Sequence, residues 1–179
     1  PSRFVPERKP DPDWPHGSGV NDIVFMSSRD GLHFDRSFSE AFIRPGPDPD
    51  NWHERGLYVE VGLLQTTKEE LSLYGREGGK VPSSSFRRFA IRTDGFVSVN
   101  AGFSTGEFVT RPLVFEGVEL EMNYSTSAVG SVRVEIQDAE GHALPGYGLE
   151  DSPELFGDEI EGVARWTDGS DVSSLSGQS

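Results

Sequence analysis

The sequence predicts an all-β protein, and two runs of alternating residues in its second half carry that prediction. Apolar and polar side chains alternate through residues 118–125 and again through residues 132–137. Because successive side chains of a strand point to opposite faces, a period of two predicts antiparallel strands with one face on a core and the other in water. No segment carries the stripe of a long amphipathic helix, whose apolar spacing is three and four residues. A second sheet must cover the apolar face, so a β-sandwich is the simplest fold for this region.

Turn signals divide the rest of the chain into short strands. Residues 1–19 hold five of the twelve prolines and are predicted to form a loop or an extended arm. Asp30-Gly31 lies between two strand-like runs and predicts a hairpin, whereas the proline-rich residues 45–51 predict an exposed crossover. The turns predicted within the 106–141 meander are residues 115–118, 128–131 and 138–141. The strands predicted elsewhere are residues 23–26, 32–38, 41–43, 57–64, 70–74, 86–92, 96–99 and 162–166.

Composition excludes several classes of function. The 179 residues include no cysteine, which excludes disulfides, a thiol nucleophile and cysteine metal sites. The net charge of −14 argues against binding to phosphate backbones. The only basic cluster, formed by Arg87, Arg88 and Arg92, lies in a predicted strand, where solvated or ion-paired arginines are expected. No apolar run approaches the length of a membrane span, so neither nucleic acid nor membrane is an expected partner.

Metal and cofactor sites are not predicted either. The four histidines are scattered without the paired spacing of zinc ligands. An acidic stretch offers oxygen ligands for calcium but lacks the Asp-x-Asp-x-Asp-Gly register, so a solvated acidic edge is favoured. No phosphate-binding loop, dinucleotide fingerprint or Gly-x-Ser-x-Gly elbow is present. The carboxylates of the acidic stretch are Asp151, Glu154, Asp158 and Glu159.

The order of five motifs resembles a known family. Together they span most of the chain and are similar to the C-terminal part of five-bladed β-propeller glycoside hydrolases of the invertase and arabinanase kind, including uncharacterised bacterial relatives. The motifs are DIVFMSSRDGLHFDRSFSEAFIRPG at 22–46, NW-x-x-RG-x-Y at 51–58, ELSLY at 70–74, R-x-DGFVSV at 92–99 and T-x-PL-x-FEG-x-x-L-x-x-N-Y-S-T-S at 110–127.

The resemblance implies a two-part architecture. Residues 1–92 would form the last one to two blades of a partial five-bladed β-propeller behind the proline-rich arm, and residues 93–179 a jelly-roll-like β-sandwich whose last strands are in doubt. A blade takes roughly 40–50 residues, so this chain is too short to close the ring. The family's catalytic carboxylates come from earlier blades, so no catalytic residue is assigned here. Because the sequence begins with proline and not methionine, we expect a processed product or part of a longer polypeptide.

The candidate substrate-binding residues are the four that follow the crossover. Trp52, His53, Glu54 and Arg55 combine a stacking ring, a carboxylate and a fork of donors, which are groups that hold sugars. The resemblance implies that this segment enters a blade at the mouth of the central funnel, so the hypothesis is contact with a carbohydrate and not catalysis. The alternative is structural: Trp52 fills blade packing, and Glu54 pairs with Arg55 on the surface.

Two functions remain open at this point. The resemblance implies the C-terminal portion of a carbohydrate-active protein, a glycoside hydrolase, whose blades are completed by an upstream propeller segment or another chain. The alternative is a non-catalytic carbohydrate-binding or structural β-sandwich module that assembles with another chain. An incomplete blade edge before residue 92 would favour the first, and a compact sandwich closed around residues 22–179 would favour the second.

Overall fold

The computed structural model describes residues 2–5, 20–53 and 56–177, with only the backbone of the first of these ranges. Within these residues the chain forms β-strands and two single-turn 3-10 helices, and no α-helix occurs. The predicted all-β class is therefore confirmed. The chain divides into two compact units, Pro1–Val97 and Ser98–Ser179.

In the part of the first unit that the structure describes, the strands form three antiparallel sheets. A three-stranded sheet has β2 between β1 and β5, and β3 pairs with β4 in a small hairpin. In the largest sheet β8 lies between β9 on one side and β6 and β7 on the other. The strands are β1 Ser2–Val5, β2 Val20–Val24, β3 Ser27–Ser28, β4 Phe34–Asp35, β5 Ala41–Ile43, β6 Leu57–Val59, β7 Leu64–Gln65, β8 Glu70–Glu77 and β9 Ser85–Arg92.

The long β8–β9 ladder separates two chemically different faces. Leu73 lies opposite Phe89, and both side chains are half-buried on one face. Ser72 and Arg88 belong to the other face, where the Arg88 Nε donates to the Ser72 hydroxyl at 2.8 Å. Two sheet faces of this kind follow from the period of two along each strand.

A buried amide joins the three-stranded sheet to the largest sheet. The Asn21 side chain accepts from the Leu57 amide at 3.2 Å and donates to the Leu57 carbonyl oxygen, so it copies both bonds of a strand partner. Asn21 and Leu57 are fully buried. Nearby, Phe25 lies 5.9 Å from Phe42 and 5.5 Å from Phe96, measured between ring centroids. The Phe96 contacts pack the chain that leaves β9 against the three-stranded sheet.

The second unit has one strand pair and a compact aromatic core. Strand β10, Glu121–Ser125, pairs with β11, Asp158–Val163, across a register shift. Trp166 lies in the core, and its indole donates to the Val134 carbonyl oxygen at 3.0 Å. The Tyr147 ring meets Trp166 edge to face, with the ring centroids 5.1 Å apart. The other core residues are Ala164 and Val172, with Phe115, Leu120, Met122 and Ile136 packed against them.

Several predicted strands are wrong. Residues 96–99 form a turn and irregular chain, because Asp94 adopts a φ of 55° and Phe96 turns into the aromatic stack. Residues 132–137 supply isolated bridges and no continuous strand, so the predicted meander is reduced to β10. The strand predicted at 162–166 runs earlier, as β11, which places Asp158 and Glu159 of the predicted acidic loop in a strand.

The other predicted strands differ less from the observed ones. The predicted strand 57–64 is divided into β6 and β7, with Gly62 at a φ of 124° between them. In the predicted arm 32–38 only Phe34–Asp35 forms a strand. The strands predicted at 70–74 and 86–92 are confirmed and belong to the longer β8 and β9.

Candidate functional site

The candidate site lies on the crossover between β5 and β6. A 3-10 helix, Pro49–Asn51, follows Asp48, whose carboxylate accepts from the Asp50 amide at 3.0 Å. Aspartate before the first turn and proline at its start are residues that favour this geometry, since the carboxylate satisfies a free amide and proline has none to lose. The proline-rich sequence therefore ends in a defined turn immediately before Trp52.

Asn51 anchors this turn to the loop after β8. Its side chain is 2% exposed, donates to the Pro45 carbonyl oxygen at 2.9 Å and accepts from the Gly78 amide at 2.6 Å. Beside it, the Ser83 hydroxyl donates to the Asp50 carboxylate. Both ends of the crossover are thus held by side-chain hydrogen bonds, which limits the movement of the residue that follows.

Trp52 presents a partly exposed ring on this anchored turn. Its indole Nε1 donates to the Gly46 carbonyl oxygen at 2.7 Å, while 45% of the residue remains exposed. His53 is half-buried, and its carbonyl oxygen accepts from the Gly56 amide at 3.0 Å. Of the four predicted contact residues, Glu54 and Arg55 lie outside the described residues. The structure therefore describes the ring and the histidine, and it brings the ring to Gly46.

Gly46 also lines a groove. This groove, with a volume of about 610 Å³, lies between β5 and the face of the β8–β9 ladder that carries Leu73 and Phe89. Its size falls in the range of about 300–1,000 Å³ that is usual for ligand sites. The apolar part of its lining is Phe42, Ile43, Leu73, Phe89, Ala90 and Ile91, and the charged part is Arg44, Glu77, Arg87 and Arg88.

Two of the three arginines that line the groove form ion pairs within the described residues, and the third does not. Arg87 Nε lies 2.6 Å from the carboxylate of Glu77, and Arg88 forms an ion pair with Glu70 as well as its bond to Ser72. The prediction of ion-paired arginines is thus confirmed for Arg87 and Arg88. Arg44 is exposed and forms no ion pair within the part of the chain that the structure describes.

The Asp30 hairpin has turn chemistry, as its sequence predicts. One carboxylate oxygen of Asp30 accepts from the amides of Leu32 and His33 at 2.8 and 2.7 Å, and the other lies 2.6 Å from His33 Nδ1. These bonds, first among them that from the His33 amide, hold the pKa of Asp30 well below its usual range. Asp138 repeats the arrangement by accepting from the amides of Glu140 and His142.

A smaller cleft of about 200 Å³ lies in the second unit. It is bordered by Tyr147, Trp166, Asp168 and Asp171, and the Tyr147 hydroxyl donates to the Asp171 carbonyl oxygen at 2.9 Å. The Asp171 carboxylate accepts from the Ser173 amide at 2.8 Å, and its pKa is lowered by the bonds from Ser173. Its volume lies below the range usual for ligand sites.

No group of three or more potential metal ligands occurs within residues 20–53 and 56–177. Over the same described stretches, no helix has the length and apolar composition needed to cross a membrane. Comparison of the chain with protein-family models, with curated proteins and with solved structures gave no match.

Sequence reasoning found the exposed ring of this site and missed the groove beside it. Arg44 and Glu77 are separated by more than thirty residues in the chain, and only the fold brings the end of β5 and the β8–β9 ladder to one groove. The available signal was the apolar alternation of Leu71 and Leu73 within β8, which indicates a packed face but not its neighbour.

Proposed function

We propose that this chain is the C-terminal portion of a carbohydrate-active protein, a glycoside hydrolase, to which it contributes saccharide contacts and a structural sandwich. Residues 1–92 would belong to the last blades of a five-bladed β-propeller, and residues 93–179 to a jelly-roll-like sandwich. The catalytic pair of carboxylates that such hydrolysis requires would come from blades outside this chain. The chain itself would bind and orient the substrate.

The observation that carries this proposal is the partly exposed Trp52 ring on an anchored turn. The Trp52 ring is held at its polar edge by Gly46 while 45% of the residue is exposed, and sugars are bound by stacking on exposed aromatic rings. The adjoining groove adds a volume within the range usual for ligand sites and several charged groups. By sequence, His53, Glu54 and Arg55 would extend the proposed contact beyond Trp52.

Open sheet edges support the proposed completion by an upstream propeller segment or by another chain. Within the described residues β9 pairs only with β8, and β5 pairs only with β2. Long uncovered strand edges are normally paired or protected. An incomplete blade would present such edges to the strands that complete it.

A second observation favours the alternative of a non-catalytic module that assembles with another chain. Residues 98–116 form no strand, and the stretch from 97 to 118 exposes eight large apolar side chains. Large exposed apolar patches mark interaction surfaces, so this segment is the candidate contact with another chain. The eight residues are Val97, Val99, Phe103, Phe108, Val109, Leu113, Val114 and Val118.

Binding of defined saccharides tests the proposed contact. We expect an arabinan or fructan oligosaccharide to give saturation-transfer NMR signals with the chain, and Trp52→Ala to weaken binding about two- to tenfold, the range expected for loss of an aromatic contact. Phe103→Ala is the matched control, because it removes an exposed aromatic ring from the other unit. Equal affinities of Trp52→Ala and the unaltered chain would contradict the contact.

An activity assay of the chain alone separates these two functions from a third, in which the chain carries its own catalytic carboxylates. The proposal expects no release of reducing sugar from either oligosaccharide, because the catalytic carboxylates are assigned to blades outside the chain. Measurable hydrolysis by the purified chain, abolished by a single carboxylate substitution within it, would overturn that assignment.

A further inference from the structure

The groove beside Trp52 has a charge opposite to that of the chain as a whole. The net charge is −14, yet the charged side chains on the groove's side of the ladder and beside it are two arginines, Arg44 and Arg87, and a single acidic residue, Glu77. A local reversal of this kind attracts negatively charged ligands to one place on an otherwise repelling surface. The charge of the groove therefore favours a negatively charged ligand.

Pairing within the groove leaves one arginine charge without compensation. The guanidinium of Arg88 is bound by Ser72 and Glu70 on the opposite face of the ladder. Arg87 compensates Glu77, a buried carboxylate, through its Nε. Arg44 remains as an exposed cation with no ion pair among the described residues.

Arg87 keeps donors for a ligand although it is paired. Its bond to Glu77 uses Nε, whereas a guanidinium carries five N–H donors, and 60% of the side chain is exposed. Arg44 and Arg87 thus line one groove with planar forks of donors, the geometry that matches a carboxylate by paired hydrogen bonds. The apolar side chains of Phe42 and Phe89 line the same space and suit the carbon face of a sugar ring.

We propose that the groove binds an acidic saccharide, with the carboxylate of a uronate unit held by Arg44 and Arg87 and its ring carried by the apolar lining. This inference rests on the proposed carbohydrate function and names its substrate class. A single uncompensated positive charge matches one uronate carboxylate in the groove, and the chain's overall negative charge disfavours densely charged polyanions.

The test compares two ligands that share one sugar backbone and differ in whether their carboxyl groups are charged. Tri-galacturonate and its fully methyl-esterified form are titrated into the chain at low ionic strength, with saturation-transfer NMR and calorimetry as readouts. We expect the acid to bind about five- to tenfold more tightly than the ester, the range for a carboxylate that gains charge-assisted bonds at a partly exposed site. The preference should shrink as salt is added.

Variants locate the binding. Arg44→Gln should remove most of the preference for the acid, and Arg36→Gln, which removes the same charge from an exposed position outside the groove lining, should leave it intact. Arg44 is the better position than Arg87, since loss of Arg87 would leave the buried Glu77 carboxylate uncompensated.

The outcomes distinguish failure of the acidic-ligand proposal from failure of the broader carbohydrate function. Equal binding of acid and ester, or binding of a neutral arabinan or fructan oligosaccharide alone, would overturn the acidic ligand and leave the carbohydrate function standing. Equal effects of Arg44→Gln and Arg36→Gln would also overturn the assignment, because the acid would then bind elsewhere. Absence of binding by every saccharide would overturn both.

Discussion

Replacing Asn51 with alanine should destabilise the turn that carries Trp52. The substitution removes the donor to the Pro45 carbonyl oxygen at 2.9 Å and the acceptor for the Gly78 amide at 2.6 Å. Pro45 and Gly78 are themselves buried, so water replaces the lost bonds poorly. Each buried group left without a partner costs about 1–3 kcal/mol, and two such groups cost about 2–6 kcal/mol. Partial relaxation around the smaller side chain brings the expected loss to about 2–3 kcal/mol.

Amide hydrogen exchange measures that loss at the site itself. A loss of about 2 kcal/mol in the free energy of opening should speed exchange of the Gly78 amide about thirtyfold, since 1.4 kcal/mol corresponds to a factor of ten. Asn51→Asp separates the two bonds: its carboxylate still accepts from Gly78 but has no donor for Pro45. Because burial raises the pKa of a carboxyl group, protonation on acidification should restore that donor and part of the protection.

Asn100→Ala is the control, because Asn100 is exposed and an exposed substitution changes stability by less than about 0.5 kcal/mol. If Asn51→Ala changed the exchange of the Gly78 amide no more than Asn100→Ala does, the anchoring role of Asn51 would be refuted. The proposed orientation of Trp52 would then need another cause.

Two further predictions concern a close backbone approach and a titrating turn. Gly75→Ala should lower the free energy of unfolding of the first unit by about 1–3 kcal/mol in urea titrations, because the added Cβ would overlap the Tyr58 carbonyl oxygen and lie 3.1 Å from the Phe89 ring. Gly102→Ala is the control, because its added Cβ meets open space. A loss no greater than that of Gly102→Ala would contradict it. The carboxyl pKa of Asp30, followed by NMR, should lie below its ordinary value, so the turn's stabilisation is present above the unfolded pKa and lost only as the pH falls through the folded one. His33→Gln should raise that pKa only in part, since the backbone amide of residue 33 remains; a fully ordinary pKa in this variant would show that the imidazole is the main cause.

The sequence predicted which side chains share a face of a strand better than it predicted which strands pair with each other. Leu120, Met122 and Tyr124 alternate with exposed neighbours in the structure, as their spacing required, but Val118, predicted to share their face of the strand, is 61% exposed. Alternation depends on the geometry of one strand, so it can be read locally. The partner of that strand is β11, more than thirty residues away, and no local pattern specifies it. Val134 shows the limit most clearly, since it packs against the core without belonging to a continuous strand.

Prediction of the candidate site was limited in the same way: local features could be predicted, and long-range contacts could not. Trp52 could be chosen from its residue type and its place after a proline-rich crossover, both of which are local properties. The ion pair between Arg87 and Glu77 depends on the β8–β9 register, and the position of Arg44 depends on the packing of β5. Neither arrangement has a signal in the linear sequence, so the groove could not have been predicted.

Asn21 has a consequence for how this chain tolerates substitution. Its side chain stands in for a peptide group toward Leu57, so the position requires one donor and one acceptor at a fixed reach from the backbone. Glutamine overshoots that reach and aspartate lacks the donor. In a saturation library this polar residue should therefore behave like a core position that accepts a single amino acid, and rankings based on hydrophobicity alone would overlook it.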